Sequence, residues 1–172
     1  MATPVCAGEI EGVVFDDTSV VGDRRVELAG VALLRYRIFI KAYVGALYLE
    51  SGIGTGRVLE DVPKRLVLHY RYTIPGDGFG PAAEEILATN FSPGELAPLR
   101  DRLARLHALY QTVHPGDRYT LTYIPGVGTE LALNDRSLGV MEGADFAAAY
   151  FSIWLGEEPI SAAFRDQMLA GL

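Results

Sequence analysis

The sequence predicts an α+β domain in which helices cover one face of a mainly antiparallel sheet. Three observations carry this expectation. Strand-like, helix-like, strand-like and helix-like stretches follow one another along the 172 residues. The strand-like stretches are spaced as hairpins are, with turn residues between them. The longest of them, residues 31–49 (VALLRYRIFIKAYVGALYL), has one face without any charge.

The early strands are short: residues 10–15 and 25–28. In residues 31–49, read as one extended strand, side chains alternate between two faces. The even positions, Ala32 to Tyr48, are uncharged and are expected under the helices. The odd positions carry Arg35, Arg37, Lys41 and Tyr43 among apolar neighbours. Residues 66–72 (LVLHYRY) alternate again, with Leu66, Leu68, Tyr70 and Tyr72 on one face. Residues 81–91 form a first helix. A second opens at the capping box Ser92-Pro93-Gly94-Glu95. Its apolar stripe runs through Leu96, Leu99, Leu103, Leu106 and Tyr110. Arg100, Asp101, Arg102 and Arg105 fall off the stripe and read as a solvated face. Strands return at Arg118–Ile124, at 130–133 and at Arg136–Met141, the last two joined by the two-residue turn Asn134-Asp135. The chain closes with helices over Ala144–Leu155, stopped by Gly156, and from a Ser161 cap toward Leu172.

Composition narrows the function classes. The chain is long enough for one domain with a substantial core, spanning 1–172. A net charge of -7 argues against a nucleic-acid partner, because such binding draws on cations that neutralise phosphates. It argues equally against electrostatic docking on anionic membranes. Residues 31–49 are nearly long enough for a membrane span, but three cations near its centre would each cost roughly 2.5–3.5 kcal/mol; no transmembrane segment is expected. No secretory leader is visible. The expected compartment is the cytoplasm as the sequence is written, or the periplasm if a leader was removed. Cys6 is the only cysteine, so neither an intramolecular disulfide nor a thiolate cluster is expected.

No standard catalytic constellation is present. His69, His107 and His114 form no HExxH, there is no GxSxG, and Gly52-Ile53-Gly54-Thr55-Gly56 matches neither a dinucleotide fingerprint nor a P-loop. No metal and no cofactor is expected. Residues 75–80 and 125–128 read as turns, and Ser152 is expected to bond a carbonyl one turn back in its helix. His69 reads as a surface or rim residue beside Arg71. The cations of residues 31–49 have two readings. They reach water from a solvated sheet face, or they line a cleft where a guanidinium and a phenol bind a carboxylate or enolate oxygen.

Two segments resemble the chalcone isomerase-like family: residues 28–49 (LAGVALLRYRIFIKAYVGALYL) and residues 125–159 (PGVGTELALNDRSLGVMEGADFAAAYFSIWLGEEP). The resemblance spans nearly the whole chain. It implies an open-faced β-sandwich, a large antiparallel sheet packed against a helical layer. Plant members of the family close a chalcone to a flavanone, and plastid relatives bind fatty acids without catalysis. Arg35 matches the family's arginine. Tyr43 stands where the fatty-acid binders have tyrosine and the enzymes threonine. Ile153 falls where the enzymes have threonine, and residues 81–91 supply Asn90 but no tyrosine or lysine. The resemblance therefore implies a bacterial member closer to the fatty-acid-binding branch than to the plant enzymes. It implies binding of a small amphipathic carboxylate by Arg35 and Tyr43; an isomerase using Arg35 and a structural or partner-binding domain are the alternatives. Eight residues of straight strand span ~26 Å, so the clamp needs a turn, a bulge or a sharp coil near residues 38–40, where no Gly, Pro, Asn or Asp stands.

Overall fold

Residues 31–49 do not form one strand: the chain reverses within them. The computed structural model describes residues 8–36 and 40–172. Strand β4 (Arg24–Tyr36) ends just before this gap and β5 (Ile40–Leu49) begins just after it, antiparallel to β4. Arg37 and most of the turn expected near residues 38–40 lie outside the described residues. The pairing sets Arg35 opposite Lys41 and Leu34 opposite Tyr43, leaving Ala42 as the extra residue of a bulge.

The reversal changes which face each parity occupies, and here the single-strand reading fails. In β4 the even residues Ala32 and Leu34 lie in the core beneath the helices, as expected. In β5 the odd residues Tyr43, Leu47 and Leu49 take that place. The even residues Val44, Ala46 and Tyr48 pack on the opposite face against Phe15, Val21 and Val26. One-residue slips invert side-chain direction, and the bulge at Ala42 supplies the offset.

The remaining strands are β3 (Thr18–Val21), β6 (Lys64–Tyr70), β7 (Arg118–Ile124), β8 (Gly128–Leu133) and β9 (Arg136–Met141). With β4 and β5 they make a seven-stranded antiparallel sheet whose spatial order is the chain order. The segment 10–15 is a hairpin rather than one strand: β1 (Gly8–Ile10) and β2 (Val13–Phe15). Its turn residues Glu11 and Gly12 both have positive φ, at 52° and 77°, the conformation that tight two-residue hairpin turns require. Asn134 and Asp135 do the same between β8 and β9, at 48° and 65°. Strand β6 stops at Tyr70, so Tyr72 stands beyond the sheet and is half exposed.

The helices are α1 (Phe79–Asn90), α2 (Pro93–Leu96), α3 (Arg100–His107), α4 (Ala144–Leu155) and α5 (Ala162–Leu169). The capping box forms: Ser92 Oγ accepts from the Glu95 amide, and the Glu95 carboxylate accepts from the Ser92 amide. The expected single second helix is broken into α2, a 3₁₀ turn over Ala97–Leu99 and α3, because Pro98 has no amide hydrogen to donate. The leucine stripe is buried nevertheless. The charged face is not merely solvated. Arg102 forms a two-pronged pair with Asp145 at 2.8 and 2.7 Å, and Arg105 meets Glu142, tying α3 to the start of α4. That pairing holds the Asp145 carboxyl low, at about 2. Ser152 Oγ donates to the Ala149 carbonyl, and Ser161 Oγ caps α5 by accepting from the Phe164 amide. Gly156 is not left-handed as a C′ glycine would be, with φ -80°. Any Cβ there would meet the Ser152 carbonyl.

Helix α5 lies directly on the sheet because two strand positions lack side chains. A Cβ on Gly30 would collide with the Met168 carbonyl, and one on Gly45 with the Phe164 and Met168 side chains. Gly30→Ala is expected to lower stability by about 1–3 kcal/mol, read as a lower urea midpoint with an unchanged slope. At the far end of the sheet Lys64 is fully buried. Its Nζ donates to the Glu60 carbonyl at 2.8 Å and lies 4.9 Å from the centre of the Tyr123 ring. Burial lowers its ammonium to about 8, opposed by Asp61. A lysine with a depressed folded-state pKa binds fewer protons folded than unfolded between about 8 and the unfolded value near 10.4. The stability of the wild type relative to Lys64→Met should therefore rise as pH climbs through that window and stay flat below it. Paired urea titrations from pH 6 to 10.5 measure this.

Candidate functional site

The sheet and the helices do not close completely at the end where β4 meets β5. An apolar cleft of about 460 Å³ remains there, within the range of small-molecule sites. Its sheet wall is Leu34, Ala42, Tyr43 and Tyr70. Its helical wall is Phe79, Ala83 and Ile86 of α1 and Tyr150, Ile153 and Trp154 of α4. Tyr110, just past α3, lies between them. Tyr72 and Ile160, 50% and 38% exposed, stand at the mouth. The walls are aromatic and interlocked. Tyr43 and Tyr70 have ring centres 5.2 Å apart, and Phe79 stacks on Tyr110 at 4.7 Å.

The polar atoms inside this cleft are phenols and one indole. Trp154 Nε1 donates to the Tyr43 oxygen at 2.9 Å, and the Tyr43 hydroxyl hydrogen has no acceptor among the described residues. The Tyr110 and Tyr150 hydroxyls share one hydrogen bond at 2.8 Å, so one hydrogen of that pair also has no acceptor among the described residues. The Tyr70 hydroxyl has no hydrogen-bond partner among the described residues. Burial pushes Tyr43, Tyr70, Tyr110 and Tyr150 all above the usual phenol range, because the phenolate would be desolvated. At neutral pH the cleft therefore presents neutral hydrogen-bond donors. Behind the Tyr110–Tyr150 pair, burial lowers His107, with Glu84 opposing from 3.7 Å. A neutral imidazole backs the cleft.

The two residues expected at the site lie on neighbouring strands at the same end of the sheet. Tyr43 is buried in the cleft wall. Its cross-strand partner is Leu34, and Arg35 is one residue further on, exposed and opposite Lys41. Lys41 pairs with Glu11 at 2.6 Å, and Arg71 donates to the Glu11 carbonyl. The Glu11 carboxyl is held low by its bond to Lys41, with Arg71 and Arg35 contributing at longer range. Arg35, Lys41 and Arg71 thus gather at this end of the sheet. Ile153 lines the cleft. Asn90 does not. Its amide donates to the Ile86 and Glu158 carbonyls and its oxygen accepts from the Glu158 amide, fastening the end of α1 to the loop before α5. His69 lies on the opposite sheet face, accepting from Arg118 Nε at 3.0 Å.

Sequence reasoning did not anticipate Tyr70, Tyr110, Tyr150 or Trp154 as a group. Tyr70 carried a signal, its alternation with Leu66 and Leu68, and Tyr110 ended the leucine stripe. Nothing in the spacing said that residues from β5, β6, α4 and the segment after α3 would converge.

A curled antiparallel sheet carrying a helical layer, with a cleft between them, defines an α+β open-faced β-sandwich. The chain belongs to the chalcone isomerase-like family, whose model matches residues 7–170. Its backbone superposes on the crystal structure of an Arabidopsis thaliana fatty-acid binding protein with a TM-score of 0.69, covering 92% of each chain at 17% identity. No curated protein matches the sequence. Among the described residues no helix is long and apolar enough to cross a membrane.

The Tyr43–Trp154 bond makes a prediction. Tyr43→Phe leaves a buried indole N–H without an acceptor and is expected to cost about 1–3 kcal/mol. Adding Trp154→Phe should recover part of that loss, and a double-mutant cycle in urea denaturation measures the coupling.

Proposed function

We propose that the cleft binds a fatty-acid-like or other amphipathic carboxylate without transforming it. The observation that carries this reading is a cleft walled almost wholly by apolar and aromatic groups, with a Tyr43 hydroxyl hydrogen inside it that no described residue accepts. The tail lies between Phe79, Ile86 and Ile153. The head group lies toward the end of β4 and β5, where Tyr43 donates a hydrogen bond and Arg35, exposed and outside the cleft lining, supplies positive charge from beyond the rim. The fatty-acid binding protein of the same fold supports the ligand class. Trp154 is the only tryptophan and stands in the cleft wall, so its emission reports occupancy.

Titration with palmitate, followed through Trp154, should show saturable binding. Tyr43→Phe should weaken it about 3- to 10-fold, the worth of one hydrogen bond, and Arg35→Ala about 10-fold or more, the worth of a charged one. Equal affinity in the wild type and Arg35→Ala would remove Arg35 from the head-group site. No binding of saturated acids from eight to eighteen carbons would sink the reading itself. Native mass spectrometry of freshly purified protein gives an independent answer through any co-purified lipid.

A second reading is an isomerase that performs an intramolecular addition. Phenols kept neutral by burial favour it, because neutral donors stabilise a developing enolate oxygen. Ile153, in place of the threonine of the enzymes, weighs against it. Conversion of chalcone to flavanone above the uncatalysed rate, lost in Tyr43→Phe, would select this reading.

A further inference from the structure

The sheet face opposite the cleft holds a second depression, about 440 Å³ in volume and polar where the first is apolar. Its floor is built from the register of three strands. Val67, Thr120 and Ala132 are successive cross-strand partners on β6, β7 and β8, and their side chains are small enough to leave a hollow. Arg65 and Arg118 bracket this floor. Arg65 pairs with Thr122, four residues from Arg118 along β7, so the two backbone anchors stand about 13 Å apart.

Both arginines are held in place by uncharged groups. Arg65 donates through Nε to Thr122 Oγ1 at 3.0 Å and through Nη1 to Ser19 Oγ. Arg118 donates through Nε to His69 Nδ1 at 3.0 Å, and its guanidinium lies 5.3 Å from the centre of the Phe15 ring. His69 is itself kept neutral, its pKa lowered first by burial and then by Arg118 and Arg71. Neither guanidinium forms an ion pair among the described residues. The depression also contains Asp16, Glu130 and Asp135, yet none of them takes either arginine. Two half-buried guanidiniums, oriented by neutral partners and in no ion pair among the described residues, form a receptor for an oxyanion even with carboxylates in the same hollow. Carboxylates left at the rim of the same hollow, together with the Thr120 hydroxyl, accept hydrogen bonds from a ligand that carries hydroxyls.

We propose that this outer-face hollow is a second ligand site, separate from the cleft, that takes a small polyhydroxylated oxyanion of the sugar-phosphate kind. The phosphate lies between Arg65 and Arg118 over Thr120, and the hydroxyls face Asp16 and Glu130. The proposal does not depend on what the apolar cleft binds, since the sheet itself separates the two.

The test is isothermal titration calorimetry with glucose 6-phosphate. The wild type should bind saturably, and Arg118→Gln and Arg65→Gln should each weaken binding about 10-fold or more. Arg65 also anchors Ser19, so Thr120→Leu provides a variant that fills the floor without replacing either arginine; it too should weaken binding about 10-fold or more. Circular dichroism and urea denaturation verify that each variant remains folded. Absence of saturable binding to the wild type, or affinity unchanged in both Arg118→Gln and Thr120→Leu, would overturn the proposal.

Discussion

Both faces of β5 are buried, and against different layers. Tyr43, Leu47 and Leu49 meet the helices, while Val44, Ala46 and Tyr48 meet the β1–β2 hairpin and β3. A strand in this position cannot shift by one residue without moving a tyrosine into space shaped for valine and alanine. The register of β4 and β6 on either side is fixed in turn, and with it the two depressions. The cleft opens where the helical layer stops short of the β4–β5 end. The outer hollow opens where the early hairpin layer stops short of β7 and β8. Each is a place where one face of a fully registered sheet is left partly uncovered.

The two depressions differ because sheet faces differ by parity. On β6 and β7 the inward set is Lys64, Leu66, Leu68, Tyr70, Tyr119, Leu121 and Tyr123, all buried. The outward set is Arg65, Val67, His69, Arg118, Thr120 and Thr122. The inner cleft therefore presents hydroxyls on aromatic rings, whose protons burial holds in place. The outer hollow presents guanidiniums and aliphatic hydroxyls. Glycine adds a further constraint on the inner side. Gly30 and Gly45 let α5 press against β4 and β5, and Phe164 of that helix then packs edge-on against Tyr43. The orientation of the phenol whose oxygen receives Trp154 thus depends on two positions that carry no side chain.

Much of the fold was legible in sequence because local rules were sufficient. The strand Arg118–Ile124, the Asn134-Asp135 turn, the capping box at Ser92 and the helix Ala144–Leu155 all follow from period, turn chemistry or capping. The departures have identifiable causes. Pro98 divides a helix whose leucine stripe is otherwise continuous. Glu11 takes a left-handed conformation that glutamate rarely adopts, so a hairpin was read as one strand. Residues 36–42, where the chain reverses, contain no Gly, Pro, Asn or Asp. Nothing local marks the reversal, and pairing with β3 and β6 on either side selects it.

The sequence by itself determined the α+β class, the family resemblance, the alternation of β6 and β7 and the residue types available for chemistry, because each is a property of neighbours along the chain. Only the tertiary structure decided which faces those residues share. It set Tyr43 beside Trp154, 111 positions away, and Tyr110 beside Tyr150. It placed Asn90 in a loop clamp and left Arg35 exposed beside the cleft wall. It also brought Arg65 and Arg118 to either side of one small-residue floor. Such juxtapositions depend on strand register and on a chain reversal set by packing on both sides of a sheet, and no window along a single chain contains that information.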